Sequence, residues 1–203
     1  VRVIIQSVSP PRPVLPALRQ GRRRATSTFD VCVVGHMRYV KDPFRTAMAA
    51  RLLPAATRVR VVHLGSAMTE AMGRRALDEM DRNPRYNWLG EQSPAEVWRT
   101  LASSRVSVLS SRMEGGANAI GESIVARTPI IASRIAGNVG LLGDGYPAYF
   151  DVGDTSALAG LLDRAERDAR FLDDLDSRCA ALAPCFDPAR ERAAWAALLG
   201  EMA

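Results

Sequence analysis

Lysine is almost absent from this chain, which has 203 residues and 27 lysine and arginine side chains but only one lysine, Lys41. Aromatic residues make up only 6% of the sequence, which leaves few platforms on which nucleic-acid bases could stack. The net charge of +5 would suit a phosphate backbone, but much of the excess lies in a Pro- and Arg-rich stretch, residues 10–28. Elsewhere basic and acidic residues are interspersed, so the composition argues against a nucleic-acid-binding domain.

Cysteine and histidine are also scarce. Three cysteines (Cys32, Cys179 and Cys185) and two histidines (His36 and His63) cannot fill a zinc-finger pattern, and no C-x-x-C occurs. We therefore expect no metal site, free thiols and a cytoplasmic protein. The sequence also lacks the G-x-x-x-x-G-K, G-x-S-x-G and H-E-x-x-H motifs, so it gives no support for a P-loop NTPase, an α/β-hydrolase or a zincin.

Long apolar runs are missing too. None approaches the roughly 20 residues that a membrane-spanning helix needs, and the opening VRVIIQSVSPPRP reaches its prolines before a signal-peptide core can form. The first residue is Val rather than Met, and we expect the chain to be a piece of a longer protein. The content of 47% hydrophobic and 24% charged residues is that of an ordinary globular domain.

Short apolar segments alternate with amphipathic ones from residue 29 onward. This alternation predicts a doubly wound parallel α/β sheet with a helical C-terminus. Residues 1–28 are interpreted as a linker, with a strand in residues 1–9, and residues 29–203 as the domain. The predicted strands are 31–35, 58–65, 85–90, 105–110, 129–133 and 148–152, and the predicted helices are 43–53, 68–82, one from Pro94, 117–127, 155–168, 169–182 and 187–202.

Two helix starts carry specific signals. Asp42 precedes Pro43, which predicts an N-cap followed by proline at the first helical position. Ser93, Pro94 and Glu96 form the pattern of a capping box with the same proline.

Two loops follow predicted strands and carry unusual residues. In doubly wound sheets, ligands bind beyond the carboxyl ends of the strands. The loop GHMRYVKDP places Arg38 and Lys41 there, after Gly35, which lets a ligand approach the backbone closely. The loop SSRMEGGAN opens a helix with Gly115 and Gly116, whose free backbone amides favour an anion. Together the two loops predict a diphosphate site.

Two carboxylates lie beside this predicted anion site, Glu114 in the second loop and Glu122 in the first turns of the following helix. Carboxylates do not bind phosphate, but they accept hydrogen bonds from the hydroxyl groups of a sugar. Anion donors combined with two carboxylates suit a sugar nucleotide. Lys41 as a solvated loop charge and Glu122 as an exposed first-turn carboxylate are the structural alternatives.

The spacing of these residues resembles a known enzyme family. Glu114 and Glu122 form the E-x7-E motif of GT-B glycosyltransferases of the family-4 type, and the surrounding VVGHMRYVKDPF, LSSRMEGGANAIGES and TPIIASRIAGNVGLLGDGYPAYFDVGD are also similar to that family. The E-G-G-A-N loop, S-R-I-A-G-N-V-G-L-L-G and G-Y-P-A-Y-F are most similar to the selenosugar synthases of selenoneine biosynthesis. The resemblance extends from Asp30 to the C-terminus.

This resemblance implies that the chain is the C-terminal, Rossmann-like half of a GT-B fold and binds a nucleotide-sugar donor. The implied donor is a UDP-sugar, with UDP-N-acetylglucosamine and a selenophosphate acceptor for the selenosugar subfamily. The implied reaction is retaining transfer with no cofactor or obligatory metal, the acceptor being bound by a missing N-terminal domain. The oligomeric state stays open.

The resemblance also implies roles for individual residues. The implied catalytic residues are Lys41 on the diphosphate, Arg38 as its helper, and Glu114 on a sugar hydroxyl. Glu122 would hold the ribose diol. The remaining implied donor-binding residues are Gly35, Gly90, Glu91, Gly115, Gly116, Ala117 and Asn118.

The chain departs from the family pattern at two places. The family commonly has arginine where this chain has His36, so Arg38 is the candidate substitute and the role of His36 stays open. The small residue and glycine usual before T-P are here Ala126 and Arg127. A non-enzymatic sugar-nucleotide or anion-binding module and a basic nucleic-acid-binding domain remain the rival functions.

The last predicted helix carries an apolar stripe. Trp195, Leu198 and Leu199 lie at i, i+3 and i+4, which places them on one face of a helix. Such a stripe needs a partner, and we expect part of it to be exposed in the isolated chain.

Overall fold

A single parallel sheet organises the chain. The computed structural model describes residues 3–11, 27–116 and 118–201, and within them six parallel strands lie in the order β3-β2-β1-β4-β5-β6. All six predicted strands and the doubly wound fold class are confirmed. The strands are β1 (Phe29–Val34), β2 (Val59–Leu64), β3 (Tyr86–Trp88), β4 (Val106–Leu109), β5 (Ile130–Ser133) and β6 (Tyr149–Phe150).

Strand β1 lies at the centre of the sheet, between β2 and β4. Its residues Val31 and Cys32 have no solvent exposure, because helices cover both faces of a doubly wound sheet. A strand buried on both faces reads as a continuous apolar run, and the sequence VCVV is such a run. The strand order reverses direction between β1 and β4, and ligands of doubly wound sheets bind at such a point, beyond the carboxyl ends of the strands.

Eight α-helices of the described residues surround this sheet. They are α1 (Arg45–Leu52), α2 (Glu70–Arg82), α3 (Pro94–Ser103), α4 (Asn118–Val125), α5 (Ala136–Leu142), α6 (Thr155–Arg167), α7 (Ala169–Leu182) and α8 (Pro188–Gly200). Seven of them were predicted. Helix α5 was missed because glycine costs about 1 kcal/mol per residue in a helix interior and its sequence AGNVGLL holds two glycines. Buried Asn138, which donates to the carbonyl of Ser133 over 2.8 Å, ties the helix to β5.

The two predicted helix starts have different outcomes. Ser93 is the N-cap of α3 and its side chain accepts the N–H of Glu96, as predicted. Asp42 does not cap α1, which begins at Arg45 without a side-chain cap. Instead, the backbone of Asp42 is left-handed, with φ 46°, and its carboxylate accepts the Arg45 side chain over 2.9 Å.

The strand predicted in residues 1–9 is wrong for the described part, since residues 3–11 form no regular structure. The Val8 N–H donates to the Phe186 carbonyl over 3.1 Å, and the Ser7 N–H donates to the Glu191 carboxylate over 2.8 Å. The segment thus packs on the domain but has no sheet edge beside it. Residues 12–26 of the predicted linker lie outside the described residues.

Helix α8 has no buried residue. Trp195 is 49% exposed and Leu199 is 61% exposed, so the predicted exposure of the apolar stripe is confirmed. In the described residues, Cys32, Cys179 and Cys185 are not joined by disulfide bonds. Among the described residues, we find no helix with the length and apolar character needed to traverse a bilayer.

Candidate functional site

The loops that follow β1 and β4 are joined to each other at the carboxyl edge of the sheet. The Arg112 N–H donates to the Val40 carbonyl over 2.7 Å. The Ser110 hydroxyl lies 3.1 Å from the carbonyl of Lys41 and 2.9 Å from that of Asp42. These bonds join residues 40–42 to residues 110–112, so they fix the position of the Lys41 backbone relative to the second loop.

Two adjoining cavities open at this edge. One has a volume of about 410 Å³ and the other about 330 Å³, sizes within the range of small-molecule sites. They share four residues, Val34, Gly35, His36 and Glu122. The larger one is lined in addition by Arg38, Lys41, Glu114, Gly116, Asn118 and Ala119, and the smaller one by Leu64, Gly65, Glu91, Gln92, Pro94, Val97 and Trp98.

The structure thus brings most of the predicted site residues to the two cavities. Lys41, Arg38 and Glu114 lie in the larger one with Gly116 and Asn118, and Glu91 lies in the smaller one. Gly90 and Gly115 do not line either cavity. The Gly90 carbonyl instead accepts the N–H of Gly65 over 2.8 Å. Ala117 lies outside the described residues.

Lys41 and Glu114 form an ion pair with each other, which the sequence did not indicate. The Glu114 carboxylate also accepts the Ser111 hydroxyl over 2.7 Å. Side-chain exposure is 32% for Lys41 and 13% for Glu114, so the pair is partly shielded from water. Lys41 thus lines the larger cavity while its positive charge is balanced by the Glu114 carboxylate.

Glu122 lies in α4 at the boundary of the two cavities. Burial raises its pKa above the usual value for a glutamate. It is therefore not the fully solvated first-turn carboxylate of the structural alternative. A half-buried carboxylate that faces an open cavity is suited to accept hydrogen bonds from neutral hydroxyl groups.

Arg38 and Arg112 have different surroundings. Arg38 is exposed and lines the larger cavity. Arg112 is 3.3 Å from the Asp42 carboxylate and lies over the ring of Tyr39 at 4.8 Å. The charge of Arg112 thus holds the loop together, whereas Arg38 adds positive charge to the cavity.

A buried histidine supports the floor of the cavities, and sequence reasoning missed its role. His63 is 1% exposed, with Nδ1 2.9 Å from the Tyr86 hydroxyl and Nε2 3.1 Å from the Gly35 carbonyl. The carbonyl can only accept, so Nε2 carries the proton and Tyr86 donates to Nδ1. Burial lowers the pKa of His63 to about 4. The only signal in the sequence is a histidine inside the apolar strand VRVVHL.

A close backbone approach keeps the loops after β1 and β2 together. A Cβ on Gly65 would lie 2.1 Å from the Gly35 oxygen, so only glycine fits there. Next to this contact, the Ser66 N–H donates to His36 Nδ1 over 3.0 Å, and the Ser66 hydroxyl donates to the Glu91 carboxylate over 2.6 Å. His36 and Glu91, which come from different loops, are thereby connected.

The missed helix α5 supports the second loop from behind. A Cβ on Gly137 would lie 2.2 Å from the Glu114 carbonyl oxygen, so α5 can approach Glu114 only through a glycine. The Ser133 hydroxyl donates to the Ser111 carbonyl over 2.6 Å, and Asn138 donates to Ser133. These buried contacts fix the loop that presents Glu114.

A family model decides where the chain belongs. The model described as glycosyl transferases group 1 matches residues 16–181. This chain belongs to the glycosyl transferases group 1 family. The match contains all six described strands and every residue that lines the two cavities.

Solved structures share the fold of this glycosyltransferase domain. Anabaena HepE in complex with UDP-glucose is 18% identical with a TM-score of 0.77, and the match covers 94% of this chain and 53% of that one. Trehalose 6-phosphate synthase from Burkholderia multivorans is 18% identical with a TM-score of 0.70, covering 94% and 45%. A Staphylococcus aureus TarM mutant in complex with Fondaparinux, alpha-GlcNAc-glycerol and UDP is 14% identical with a TM-score of 0.71, covering 96% and 38%.

The chain therefore spans about half the length, or less, of these three structures. No curated protein sequence matches it. The TM-scores show a shared fold, the Rossmann-like C-terminal domain of GT-B enzymes.

Proposed function

We propose that this chain is the donor-binding domain of a GT-B glycosyltransferase that uses a UDP-sugar. The observation that carries the proposal is the pair of adjoining cavities with Glu122 at their boundary. A nucleotide sugar has two such parts, a nucleoside and a sugar, joined through a diphosphate. HepE and TarM, which share the fold, were solved with UDP-glucose and UDP respectively.

In this proposal the nucleoside occupies the smaller cavity and the sugar the larger one. Glu91 lies beside the base, and Glu122 accepts the ribose hydroxyls. Lys41 and Arg38 face the diphosphate, together with the backbone amides of Gly116 and Asn118, which line the larger cavity. Glu114 accepts a hydroxyl of the sugar. Each group has the charge that its assigned partner requires.

Catalysis in this domain would be electrostatic. As the bond between sugar and diphosphate breaks, negative charge grows on the leaving diphosphate. Lys41, Arg38 and the amides at the start of α4 would stabilise that charge. The Lys41–Glu114 ion pair must loosen for Lys41 to reach the phosphate, so donor binding and the position of Glu114 are coupled.

The finer features of the proposal come from the resemblance. It points to retention of configuration, to UDP-N-acetylglucosamine as the donor and to selenophosphate as the acceptor. It also points to an acceptor-binding domain outside this chain, with residues 1–28 as the connection between the two. These are the first donor and acceptor to test in the longer protein.

The test is the affinity of this chain for UDP and for uridine, measured by calorimetry with the wild type and Lys41→Ala. The wild type binds UDP, and Lys41→Ala weakens that binding by about 1.5–3 kcal/mol, the usual value for a hydrogen bond to a charged group. Uridine affinity hardly changes because uridine has no phosphate. Equal losses for both ligands would place Lys41 outside the phosphate site.

Two further measurements, of duplex binding and of sugar transfer, separate the rival functions. A nucleic-acid-binding domain would bind a DNA duplex with a steep salt dependence, whereas this proposal expects no duplex binding. A non-enzymatic binding module would bind UDP equally well, but the full-length protein would then transfer no sugar.

A further inference from the structure

Helix α4 contains a glycine in its interior, where glycine is unfavourable. Gly121 lies directly before Glu122, and glycine loses more conformational freedom in a helix than any other residue. A Cβ on Gly121 would lie 2.7 Å from Val8 Cγ2 and 2.8 Å from Phe186 Cδ1. These distances are shorter than real Cβ contacts, so only glycine allows the two side chains to pack this closely on α4.

Residues 5–8, which we call the brace, lie against this side of α4. The Val8 N–H donates to the Phe186 carbonyl over 3.1 Å, and the Ser7 N–H donates to the Glu191 carboxylate over 2.8 Å. Two successive backbone N–H groups thus fasten the brace to the C-terminal part of the domain. Its Val8 side chain is thereby held against α4.

Helix α4 depends on its neighbours for its position. It has eight residues, and helices of this length are not stable alone in water. Ile120 and Ile124 have no solvent exposure and hold its inner face on the core. Successive residues of a helix point roughly 100° apart. Gly121 therefore faces the brace, while Glu122 points elsewhere and lines both cavities.

We propose that the brace fixes the position of α4 and thereby the position of Glu122 in the two cavities. Nucleotide affinity then depends on a segment that lines neither cavity. Val8 and Gly121 are positioning residues in this proposal, since they act through the helix. The inference rests on the proposed function and extends the site to residues that the sequence assigns to a linker.

The test is a double-mutant cycle at Val8 and Gly121. Gly121→Ala inserts a methyl group that forces α4 and the brace apart. UDP binding, measured by calorimetry, should weaken roughly 2- to 30-fold, the usual range for a substitution that acts on a site without contacting its ligand. Val8→Ala removes the methyl group nearest to the new Cβ, so the double variant should recover part of the loss.

The preference for UDP over 2′-deoxy-UDP is a second readout of the same cycle. Glu122 is the residue proposed to bind the ribose hydroxyls, so a displaced α4 should reduce this preference. It should fall in Gly121→Ala and recover in part in the double variant. A loss of overall stability alone would not change the ratio of the two affinities.

Gly160→Ala is the matched control. Gly160 lies in the interior of α6, lines neither cavity and has open space where a Cβ would lie. The substitution makes the same chemical change in another helix and leaves α4 untouched, so UDP affinity should stay unchanged. Equal losses in Gly160→Ala and Gly121→Ala would contradict the role of the brace.

Hydrogen exchange gives a readout that needs no ligand. In Val8→Ala the brace packs less well on α4, so the amides of residues 118–125 should exchange faster than in the wild type. The amides of β1, at the centre of the sheet, should keep their rates. Equally faster exchange in α4 and β1 would mean that Val8 acts only on overall stability, which would overturn the inference.

The outcomes separate this inference from the proposed function. If the wild type binds UDP and Gly121→Ala binds it equally well, or the double variant recovers nothing, the brace does not position the site while the proposed function stands. If the wild type binds neither UDP nor a UDP-sugar, the proposed function fails. The exchange rates of α4 then decide by themselves whether the brace holds the helix.

Discussion

At the scale of single residues, burial shifts the pKa values of Glu122 and His63 in opposite directions. Glu122 faces an open cavity, and burial raises its pKa. His63 lies beneath the cavity floor, and burial lowers its pKa to about 4. In both cases burial disfavours the charged form, but only Glu122 lines the two larger cavities described above.

Glu122 is expected to distinguish ribose from deoxyribose. If its carboxylate accepts the ribose hydroxyls, wild type binds UDP more tightly than 2′-deoxy-UDP, because removing one hydroxyl leaves the carboxylate short of a donor. Glu122→Gln should abolish the difference. Calorimetry with both nucleotides measures it, and equal affinities for the wild type would refute the ribose assignment.

His63 is expected to make stability depend on pH. The unfolded chain takes up a proton near pH 6.5, whereas the folded protein does so near pH 4. The stability contribution is therefore complete above pH 6.5 and is lost as the pH falls toward 4. The loss is on the order of 3 kcal/mol at about 1.4 kcal/mol per pH unit. Urea unfolding across this range measures it.

The control for that measurement is His63→Gln, which has no titrating ring. The difference between wild type and variant removes the contribution of Glu122 and of the other carboxylates. If the difference in unfolding free energy between wild type and variant stayed constant from pH 6.5 to 4, His63 would take up its proton as readily in the folded protein as in the unfolded chain.

At the scale of elements, the end of α4 contains a conformation unfavourable for its residue. Arg127 has φ 60°, its N–H donates to the Ile124 carbonyl, and the Thr128 N–H donates to the Ser123 carbonyl. This is the Schellman pattern, in which the left-handed position is usually glycine. The departure from the family pattern at Arg127 therefore falls where glycine has a physical advantage.

Arg127→Gly is expected to stabilise the domain. Left-handed backbone costs a residue with a Cβ roughly 1–2 kcal/mol, and the ion pair lost with Asp176, at 3.8 Å between exposed groups, is worth at most about 1 kcal/mol. The net gain is therefore up to about 2 kcal/mol, measured by chemical denaturation. Arg127→Ala loses the ion pair but keeps the strained backbone, so it should show no gain. Equal gains in both variants would contradict the explanation.

Some elements of the fold could be predicted from the sequence and others could not. Strands such as VCVV and VRVVHL were predictable because burial on both faces requires a continuous apolar run, and Ser93 was predictable because its cap is local. Helix α5 was not, because its stability comes from the contacts of Gly137 and Asn138 with other elements. Likewise, Lys41 was predictable at the carboxyl edge of the sheet because its loop follows a predicted strand, but its ion pair with Glu114 depends on contacts between loops and was not.

At the scale of the whole molecule, the two cavities lie at one edge of the sheet, and the exposed apolar stripe lies on α8. No described residue buries Trp195 or Leu199. Large apolar side chains that share a helix face are typical of contact surfaces. The described residues contain one sheet, whereas bond transfer requires both reactants to be held together.

We expect this chain to bind UDP without transferring sugar. Transfer should appear only in a longer protein that carries an acceptor-binding domain. Release of UDP from a UDP-sugar, measured with and without acceptor, tests this expectation. Acceptor-dependent release by the 203-residue chain would show that no further domain is needed.

The single lysine also makes this protein convenient to study. Reagents that acylate amines react with lysine and with the α-amino group but not with arginine, so the only side chain they can modify here is Lys41, at the wall of the larger cavity. Mass spectrometry of the acylated protein would therefore report the occupancy of that cavity from one peptide. Ligands that cover Lys41 would slow the labelling, and a collection of nucleotides could be ranked without an engineered probe.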